Sequence, residues 1–172
     1  TSCGVVVTNT PTANSQSVAE HALALLLAVA RKIGESSRDL ALKNMRPQKA
    51  YQGIELSGKV LGIIGLGSSG LRLARMVARG LDMRVIGFDP YRDPWPENVE
   101  RFQDVNDLLA EADFLSIHVP LTQETRNLIG PAALARMKST CILVNTARGG
   151  IVDEAAVAEA VSSGRLAGAA LD

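Results

Sequence analysis

The sequence predicts an α/β domain of the doubly wound type, with about six strands in a parallel sheet and helices on both faces. Three observations indicate this fold. From residue 59 onward, short apolar runs alternate with single helical segments. A glycine-rich turn directly follows the first of these runs and begins a helix. Aromatic residues make up only 3% of the chain, so Ala, Val, Leu and Ile must form the core.

The chain before residue 59 is less regular. Residues 4–8 form a β-branched run that predicts a short strand, which Pro11 ends because proline cannot continue a ladder. Polar residues at 14–17 offer caps for a helix that begins near Ser15 and stays apolar on most sides until Arg31. This helix should be buried at one end, in a core or in a subunit interface.

The alternating part of the chain predicts strands at residues 60–64, 83–88, 99–102, 114–119, 141–145 and 167–171. Helices are expected at residues 69–79, 104–110, 131–137 and 154–162. Asp104 caps one of them, Pro131 begins another and Gly164 closes the last. Because single helices separate the strands, the sheet should be parallel and covered on both faces.

Composition and charge exclude several classes of function. Eighteen basic and eighteen acidic residues give a formal net charge of zero. A nucleic-acid-binding surface needs a basic excess, so no nucleic acid partner is expected. The longest apolar run, residues 22–30, is too short to span a membrane. His21 and His118 are too few and too separated for a histidine metal cluster, so no metal is expected.

Two cysteines, Cys3 and Cys141, lie far apart and neither has a CxxC partner. A disulfide framework is therefore not expected, and a reducing cytoplasm is the natural compartment. The chain begins at Thr1 and stops at Asp172, directly after an apolar, strand-like run. Such ends are typical of a fragment of a longer protein.

The glycine-rich turn reads Gly65-Leu-Gly67-Ser-Ser-Gly70. After a strand and before a helix, this spacing is typical of a dinucleotide-binding turn. Gly65 permits the tight turn, Gly67 lets a pyrophosphate approach the backbone, and Gly70 lets the helix pack closely on the strand. The helix N-terminus would then hold the anion. The alternative is a turn with a structural role only.

Asp89 ends the next predicted strand, 24 positions after Gly65 (89 minus 65). A ribose-binding acid is expected about 20 residues after the glycines. A carboxylate there accepts hydrogen bonds from both ribose hydroxyls and repels a 2′-phosphate, which favours NAD over NADP. The alternatives are an Asp-Pro turn and, because Arg92 is near, NADP.

Two further motifs follow strand ends, where ligands bind in open α/β sheets. One is Asn145-Thr-Ala-Arg-Gly-Gly150, in which the planar guanidinium of Arg148 could clamp a substrate carboxylate. A surface arginine beside the next helix is an equally good interpretation. The other is His118-Val-Pro120. No carboxylate near His118 in sequence would orient it, so a cofactor-lining or structural role is favoured over a catalytic one.

These residues resemble the D-isomer-specific 2-hydroxyacid dehydrogenase family, the group that contains D-3-phosphoglycerate dehydrogenase. The resemblance covers nearly the whole chain. It rests on seven segments in order: Asn9-Thr-Pro11, Val18-Ala-Glu-His21, Gly65-Leu-Gly67, Asp89-Pro-Tyr91, His118-Val-Pro-Leu-Thr122, residues 145–154 and residues 168–172.

The resemblance implies a role for each matching position. Arg148 matches the catalytic arginine that binds the substrate carboxylate and carbonyl oxygen. Further matches are to the cofactor: Ser68 and Ser69 at the pyrophosphate, Asp89 at the ribose, Val119 and Pro120 at the adenine, Thr125 beside them, Thr146 and Ala147 at the nicotinamide, Asp172 at its carboxamide, and Thr10 at the hinge between two domains.

The family comparison also implies what lies outside this chain. Residues 1–12 should be the remnant of a substrate domain and residues 13–172 the dinucleotide-binding domain. The family's catalytic glutamate and histidine lie beyond the position of Asp172. The family usually has an arginine and an aliphatic residue where this chain has Ser68 and Ser69.

The expected function is therefore NAD(H) binding in an oxidoreductase that transfers a hydride between NAD and a D-2-hydroxyacid such as 3-phosphoglycerate. The fragment alone should be inactive, and the partners should be a small 2-hydroxyacid or 2-oxoacid and a second copy in a homodimer. One alternative stays open, a dinucleotide-sensing, corepressor-like regulator of the same fold. The Arg-Gly-Gly segment and the Ala-Ala-Leu-Asp at residues 169–172 speak against a different nucleotide user such as an S-adenosylmethionine enzyme.

Overall fold

A six-stranded parallel sheet forms the centre of the computed structural model, which describes residues 4–172. Its strands are β1 (Val60–Ile64), β2 (Arg84–Phe88), β3 (Glu100–Arg101), β4 (Phe114–Ile117), β5 (Ile142–Asn145) and β6 (Gly168–Leu171). They lie in the order β3-β2-β1-β4-β5-β6, and every neighbouring pair is parallel. The predicted doubly wound α/β fold is confirmed.

Helices cover both faces of this sheet. They are α1 (Ser15–Ala30), α2 (Ile33–Ala41), a 3-10 turn (Gln48–Tyr51), α3 (Ser68–Gly80), α4 (Val105–Glu111), α5 (Pro131–Leu134) and α6 (Glu154–Ser162). The α1 and α3 helices bury Leu26 and Leu73 against one face. On the other face, Leu108 of α4 and Val157 of α6 join a second apolar cluster.

The helix ends follow local side-chain chemistry. The Asp104 carboxylate accepts a hydrogen bond from the Asn106 N–H at 2.8 Å, as the sequence predicts for a cap. Asp153 does the same for α6, accepting from the Ala156 N–H at 3.0 Å. Gly164 has a φ of 73° just beyond α6, in the left-handed region that glycine tolerates best.

The strand expected at residues 4–8 is wrong. Val5, Val6 and Val7 are highly exposed, and within the described chain no strand pairs with them. β-branched residues favour strands because they fit a pleated, half-buried surface, and this segment has no such surface beside it. Residues 1–3, which include Cys3 and begin the predicted remnant, lie outside the described residues.

The apolar helix predicted near Ser15 ends at Ala30. A second helix, α2, follows it, and the sequence did not predict α2 as a separate helix. Lys32 lies between them with a φ of 54°, which breaks the helical path. The buried face of α1 packs on this chain's own α3, β5 and β6. Among residues 4–172, no helix combines the length and apolar character that a membrane crossing needs.

Candidate functional site

The candidate site is a cleft of about 490 Å³ at the carboxyl edge of the sheet. The strand order reverses there between β1 and β4, which is the position where open α/β sheets bind ligands. The lining residues are Asn14 and Val18 of α1, Ser69 of α3, residues 118–121 and residues 146–148.

The glycine turn connects β1 to α3 at this edge, and its three glycines have different reasons for lacking a side chain. Gly65 has a φ of 91°, and a Cβ there would lie 2.7 Å from the His118 carbonyl oxygen. A Cβ at Gly70 would collide with the Gly65 carbonyl. At Gly67 a Cβ would meet nothing within 4 Å, and the φ of −70° suits any residue. The chain's own packing therefore explains Gly65 and Gly70 but not Gly67.

The N-terminus of α3 opens beside Gly67. The Leu71 N–H makes the first hydrogen bond of the helix, which it donates to the Gly67 carbonyl at 3.0 Å. No side chain caps the helix. The N–H groups that precede Leu71 thus have no partner within the helix. With the helix dipole they form an anion-binding end, and the open space at Gly67 lets a ligand approach it.

Asp89 follows β2 and holds two backbone segments. Its carboxylate accepts one hydrogen bond from the Leu66 N–H in the glycine turn at 2.8 Å and another from the Tyr91 N–H at 3.0 Å. The turn-forming role considered for this residue is thus present, together with a link to the glycine turn. The Arg92 Nε donates to the Pro94 carbonyl at 3.2 Å.

His118 follows β4 and lies between two serine hydroxyls. Its Nδ1 is 3.2 Å from the Ser69 Oγ, and its Nε2 is 2.9 Å from the Ser116 Oγ. Burial lowers the pKa of His118 to about 4, because water does not solvate the imidazolium there. At neutral pH the ring is therefore uncharged and suited to hydrogen bonding rather than to proton exchange.

The loop after β5 is shaped by Asn145, a buried residue that the sequence places in the motif without a role of its own. Its side chain accepts from the Ala147 N–H at 3.0 Å and donates to the Arg148 carbonyl at 2.9 Å. The Arg148 side chain is exposed and its guanidinium makes one described bond, to the Ala147 carbonyl at 2.7 Å. Arg148 belongs to none of the ion pairs found among residues 4–172, so its charge is available to a ligand.

Thr146 in the same loop carries a buried hydroxyl without a partner. The residue is 8% exposed, and its Oγ1 is the buried side-chain oxygen that lacks a hydrogen bond within residues 4–172. Buried polar atoms are nearly always paired, so this hydroxyl can bond to a polar group in the cleft. Together with the free N–H groups of α3, it makes the cleft suited to a polar, anionic molecule.

Asp172 lies after β6, and its N–H donates to the Asn145 carbonyl at 3.0 Å. Its carboxylate is 3.8 Å from the His21 Nε2 of α1. His21 is half-exposed at this position.

The structure brings seven of the fifteen predicted site residues together around the cleft. Ser69, His118, Val119, Pro120, Thr146, Ala147 and Arg148 line the cleft itself. Thr125 lies in an exposed turn, where its Oγ1 donates to the Pro120 carbonyl at 2.6 Å. Thr10 is exposed and is not among the lining residues. Asn14, Val18 and Leu121 line the cleft but were not predicted, because their own types carry no chemical signal.

A metal ion has no evident place in this arrangement. Within the described part of the chain, no three His, Cys, Asp or Glu side chains gather as they would around an ion. Cys141 is buried and unpaired, and burial raises its pKa to about 12. Its thiol is therefore neutral and does not act as a ligand.

Comparison with known families shows what the chain is similar to. Residues 23–172 match the model of the D-isomer specific 2-hydroxyacid dehydrogenase, NAD binding domain. A D-3-phosphoglycerate dehydrogenase of Archaeoglobus fulgidus is 44% identical over 171 residues, which is 98% of this chain and 32% of that protein. The chain thus spans about a third of the length of the curated relatives that it first matches.

Solved structures show the same likeness. A D-isomer specific 2-hydroxyacid dehydrogenase from Lactobacillus delbrueckii ssp. bulgaricus, in its NAD-complexed form, superposes with a TM-score of 0.86 at 32% identity. The match covers 98% of this chain and 51% of that one. An acyclic imino acid reductase in complex with NADPH and D-Arg gives a TM-score of 0.88 at 31% identity, covering 99% of this chain and 55% of that chain. Similar domains therefore hold either dinucleotide.

Proposed function

The chain belongs to the D-isomer specific 2-hydroxyacid dehydrogenase family as its NAD-binding domain, and on this premise we propose that the cleft at the carboxyl edge holds NAD(H) for a hydride transfer. The observation that carries the proposal is the open space at Gly67 in front of the uncapped N-terminus of α3. No packing within the chain requires a glycine there, whereas a closely bound pyrophosphate does.

The cofactor contacts follow from the position of each residue around the cleft. Backbone N–H groups of Ser68 and Ser69 would bind the pyrophosphate, since they lie in the first turn of α3. Val119 and Pro120 would line the adenine side, with Thr125 holding their loop through the Pro120 carbonyl.

The nicotinamide end would lie beside the loop after β5. Thr146 and Ala147 would contact the ring there, and the unpartnered Thr146 Oγ1 supports a polar group at this place. Asp172 would bind the carboxamide, because it lies next to the end of β5 and is joined to Asn145 through the backbone. Thr10 would sit at the hinge to the substrate domain.

Asp89 supports NAD over NADP. Its carboxylate lies after β2 and is fixed by the N–H groups of Leu66 and Tyr91. Its remaining lone pairs can accept from ribose hydroxyls, and its negative charge would repel a 2′-phosphate. Arg92 donates to Pro94, which leaves it turned to its own loop. We therefore expect NADH to bind at least tenfold more tightly than NADPH, a preference of about 1.4 kcal/mol.

Arg148 is proposed to bind the substrate in the whole protein. Its guanidinium is exposed at the cleft and has no carboxylate partner among the described residues. A planar fork of donors matches a carboxylate and can stabilise charge on the adjoining carbonyl oxygen. Bound NAD would supply the hydride acceptor for a D-2-hydroxyacid, and NADH the donor for a 2-oxoacid. The chain therefore carries substrate orientation and cofactor binding.

A direct experiment separates this function from a dinucleotide-sensing regulator of the same fold. The whole protein is assayed for NADH oxidation with 3-phosphohydroxypyruvate, pyruvate and hydroxypyruvate, and the isolated chain is assayed beside it. We expect turnover by the whole protein with at least one 2-oxoacid and none by the chain alone. Tight NADH binding by the whole protein without turnover on any 2-oxoacid would favour the regulator, and turnover by the chain alone would contradict the proposed division of labour.

The proposed substrate contact is tested by Arg148→Lys in the whole protein. Lysine keeps the charge but loses the paired donors, so kcat/KM should fall at least a hundredfold, about 2.7 kcal/mol, while NADH affinity stays within about twofold. Arg165→Lys, at an exposed turn after α6, is the matched control and should change neither value. Unchanged kcat/KM in Arg148→Lys would remove Arg148 from the substrate site.

A homodimer and a cytoplasmic location complete the proposal. Apolar side chains on and after α2 are exposed, with Ile33, Leu40, Leu42 and Met45 all more than half accessible. Several large apolar side chains exposed within one segment favour a covered interface. Sedimentation of the chain should show a dimer that Leu40→Glu dissociates. A monomer at all concentrations would contradict the interface.

A further inference from the structure

Three side chains form a hydrogen-bonded series that runs from the sheet interior to the cleft. Ser116 of β4 contacts the Nε2 of His118 at 2.9 Å, and the Nδ1 of His118 contacts the Ser69 Oγ at 3.2 Å. Ser116 and His118 are two residues apart along an extended segment, so they project to the same face. Ser69 lies in the first turn of α3 and lines the cleft.

The buried end of this series fixes the position of the imidazole proton. Ser116 is fully buried, and within residues 4–172 its Oγ has no hydrogen-bond partner other than His118. A buried hydroxyl must donate its hydrogen, so the Ser116 O–H donates to Nε2. Nε2 then acts as the acceptor, and the single proton of the neutral ring lies on Nδ1.

The other end of the series follows from that tautomer. The Nδ1–H donates to the Ser69 Oγ, which therefore acts as acceptor in this bond. Among residues 4–172 the hydrogen of the Ser69 hydroxyl then has no acceptor, so it can donate into the cleft. The reverse tautomer would use up the Ser69 hydrogen on Nδ1 and leave the buried Ser116 hydrogen unpaired.

A second, independent group in this cleft is also suited to a polar ligand. The Thr146 Oγ1 is more than nine-tenths buried in the loop after β5 and has no partner among the described residues. Thr146 and Ser69 line the same cleft. Two hydroxyls and the N-terminus of α3 therefore offer donors to one bound molecule.

We propose that Ser116 is a positioning residue that sets the Nδ1–H tautomer of His118, so that Ser69 presents its hydroxyl hydrogen to the diphosphate of a dinucleotide. The proposal rests on the proposed function for the identity of the anion. It adds a side-chain donor to the backbone N–H groups of α3. It also gives His118 a role as a neutral, directional link rather than as an acid or base.

The tautomer is measured first, in the ligand-free chain. Two-bond ¹H–¹⁵N correlations of ¹⁵N-histidine distinguish a protonated Nδ1 from a protonated Nε2, and the His21→Gln variant assigns the remaining signals to His118. We expect the Nδ1–H form at pH 7, and a mixture of tautomers in Ser116→Ala. An Nε2–H form in the wild-type chain would overturn the proposal. This measurement needs no NADH. The wild-type result also does not depend on whether a Ser116 variant folds.

The second measurement is a mutant cycle for NADH affinity by calorimetry. Ser69→Ala should weaken binding about threefold to tenfold, as expected for one lost hydrogen bond. Ser116→Ala should weaken it about twofold to fivefold, and the double variant should bind no more weakly than Ser69→Ala, because Ser116 acts through Ser69. Ser162→Ala, whose hydroxyl bonds to the Ala158 carbonyl on the surface of α6, should bind like the wild type.

Two outcomes of the cycle would contradict the proposal. A Ser116→Ala effect that is equally large with and without the Ser69 hydroxyl would show that Ser116 supports the fold rather than Ser69. Wild-type affinity in Ser69→Ala would show that this hydroxyl does not contact the dinucleotide. If the wild-type chain bound no NADH, both the proposed function and the proposed diphosphate contact would be wrong. The tautomer measurement would still test the hydrogen bond between Ser116 and His118 on its own.

Discussion

Gly67→Ala distinguishes a glycine that the ligand needs from a glycine that the fold needs. The added methyl would meet no atom of the protein within 4 Å, and the backbone there already has a φ of −70°. The methyl would instead occupy the open space before the N-terminus of α3. If that space receives the pyrophosphate, the substitution should remove binding and leave the fold intact.

The effect of Gly67→Ala on stability is small because two contributions oppose each other. Gly67 is the N-cap of α3, and alanine is a poorer N-cap than glycine by roughly 0.5–1 kcal/mol. Replacing glycine by alanine at a compatible backbone position stabilises by about 0.4–1 kcal/mol through the unfolded state. The free energy of unfolding should therefore change by less than about 1 kcal/mol.

The effect on binding should be much larger. We expect NADH affinity to fall at least tenfold, or about 1.4 kcal/mol, because the pyrophosphate cannot reach the helix N–H groups past a methyl. Urea unfolding measures the first quantity and calorimetric titration with NADH the second. Wild-type NADH affinity in a folded Gly67→Ala variant would refute the reasoning about this space.

Two other glycines serve as controls. Gly80→Ala, at the far end of the same helix, also adds a methyl to open space. It should stabilise the chain by about 0.5–1 kcal/mol and leave NADH affinity unchanged. Gly70→Ala forces a methyl onto the Gly65 carbonyl, so it should destabilise the fold by several times more than Gly67→Ala.

Three further predictions concern charge and protonation. The pKa of His118, about 4, lies below the unfolded value of 6.5, so the unfolded chain takes up the proton first and stability falls as the pH drops from 6.5 to 4. By pH 4.5 the free energy of unfolding, measured with urea, should have fallen by about 2–3 kcal/mol. A His118→Gln variant whose stability has the same pH dependence would contradict this. Ser68→Arg adds a cation beside the anion site, so NADH should bind about threefold to tenfold more tightly in 50 mM salt and the gain should shrink in 500 mM salt; unchanged affinity at low salt would show that residue 68 does not face the pyrophosphate. Partial burial raises the pKa of Asp113, but the hydrogen bond from the Val60 N–H and the Lys138 ammonium at 3.0 Å outweigh it, so the pKa is lowered and its stabilisation is lost as the pH falls below about 3.8. Asp113→Asn should therefore cost about 1–2 kcal/mol at pH 7 and less at pH 3, and an equal cost at both would refute the ion-pair explanation.

The sheet could be predicted from sequence because its signals are local. Each strand of the alternating region is a short apolar run, and Asp104 and Gly164 mark helix ends through bonds within a few residues. The errors lie where the outcome depends on distant partners. Residues 4–8 have strand propensity but no neighbouring strand, and the break at Lys32 depends on a single left-handed backbone angle.

The candidate site shows the same division. The glycine spacing and the position of Arg148 after a strand can be read directly, and the family match is consistent with that reading. The pairing of Ser69 with His118 joins residues 49 apart, and no local pattern indicates it. The role of Asn145 in shaping the loop of Arg148 likewise appears only when its two side-chain bonds are seen.

The most direct test of the central claim is an amide ¹H–¹⁵N titration of the chain with NADH. If the cleft binds the dinucleotide, amide signals of Ser68 to Gly70, of Asp89 and of Thr146 to Arg148 should shift together and saturate at one equivalent. Signals beside the separate cleft between α3 and residues 96–99 should stay unchanged. Saturating shifts confined to that second cleft, or no shifts at millimolar NADH, would contradict the account.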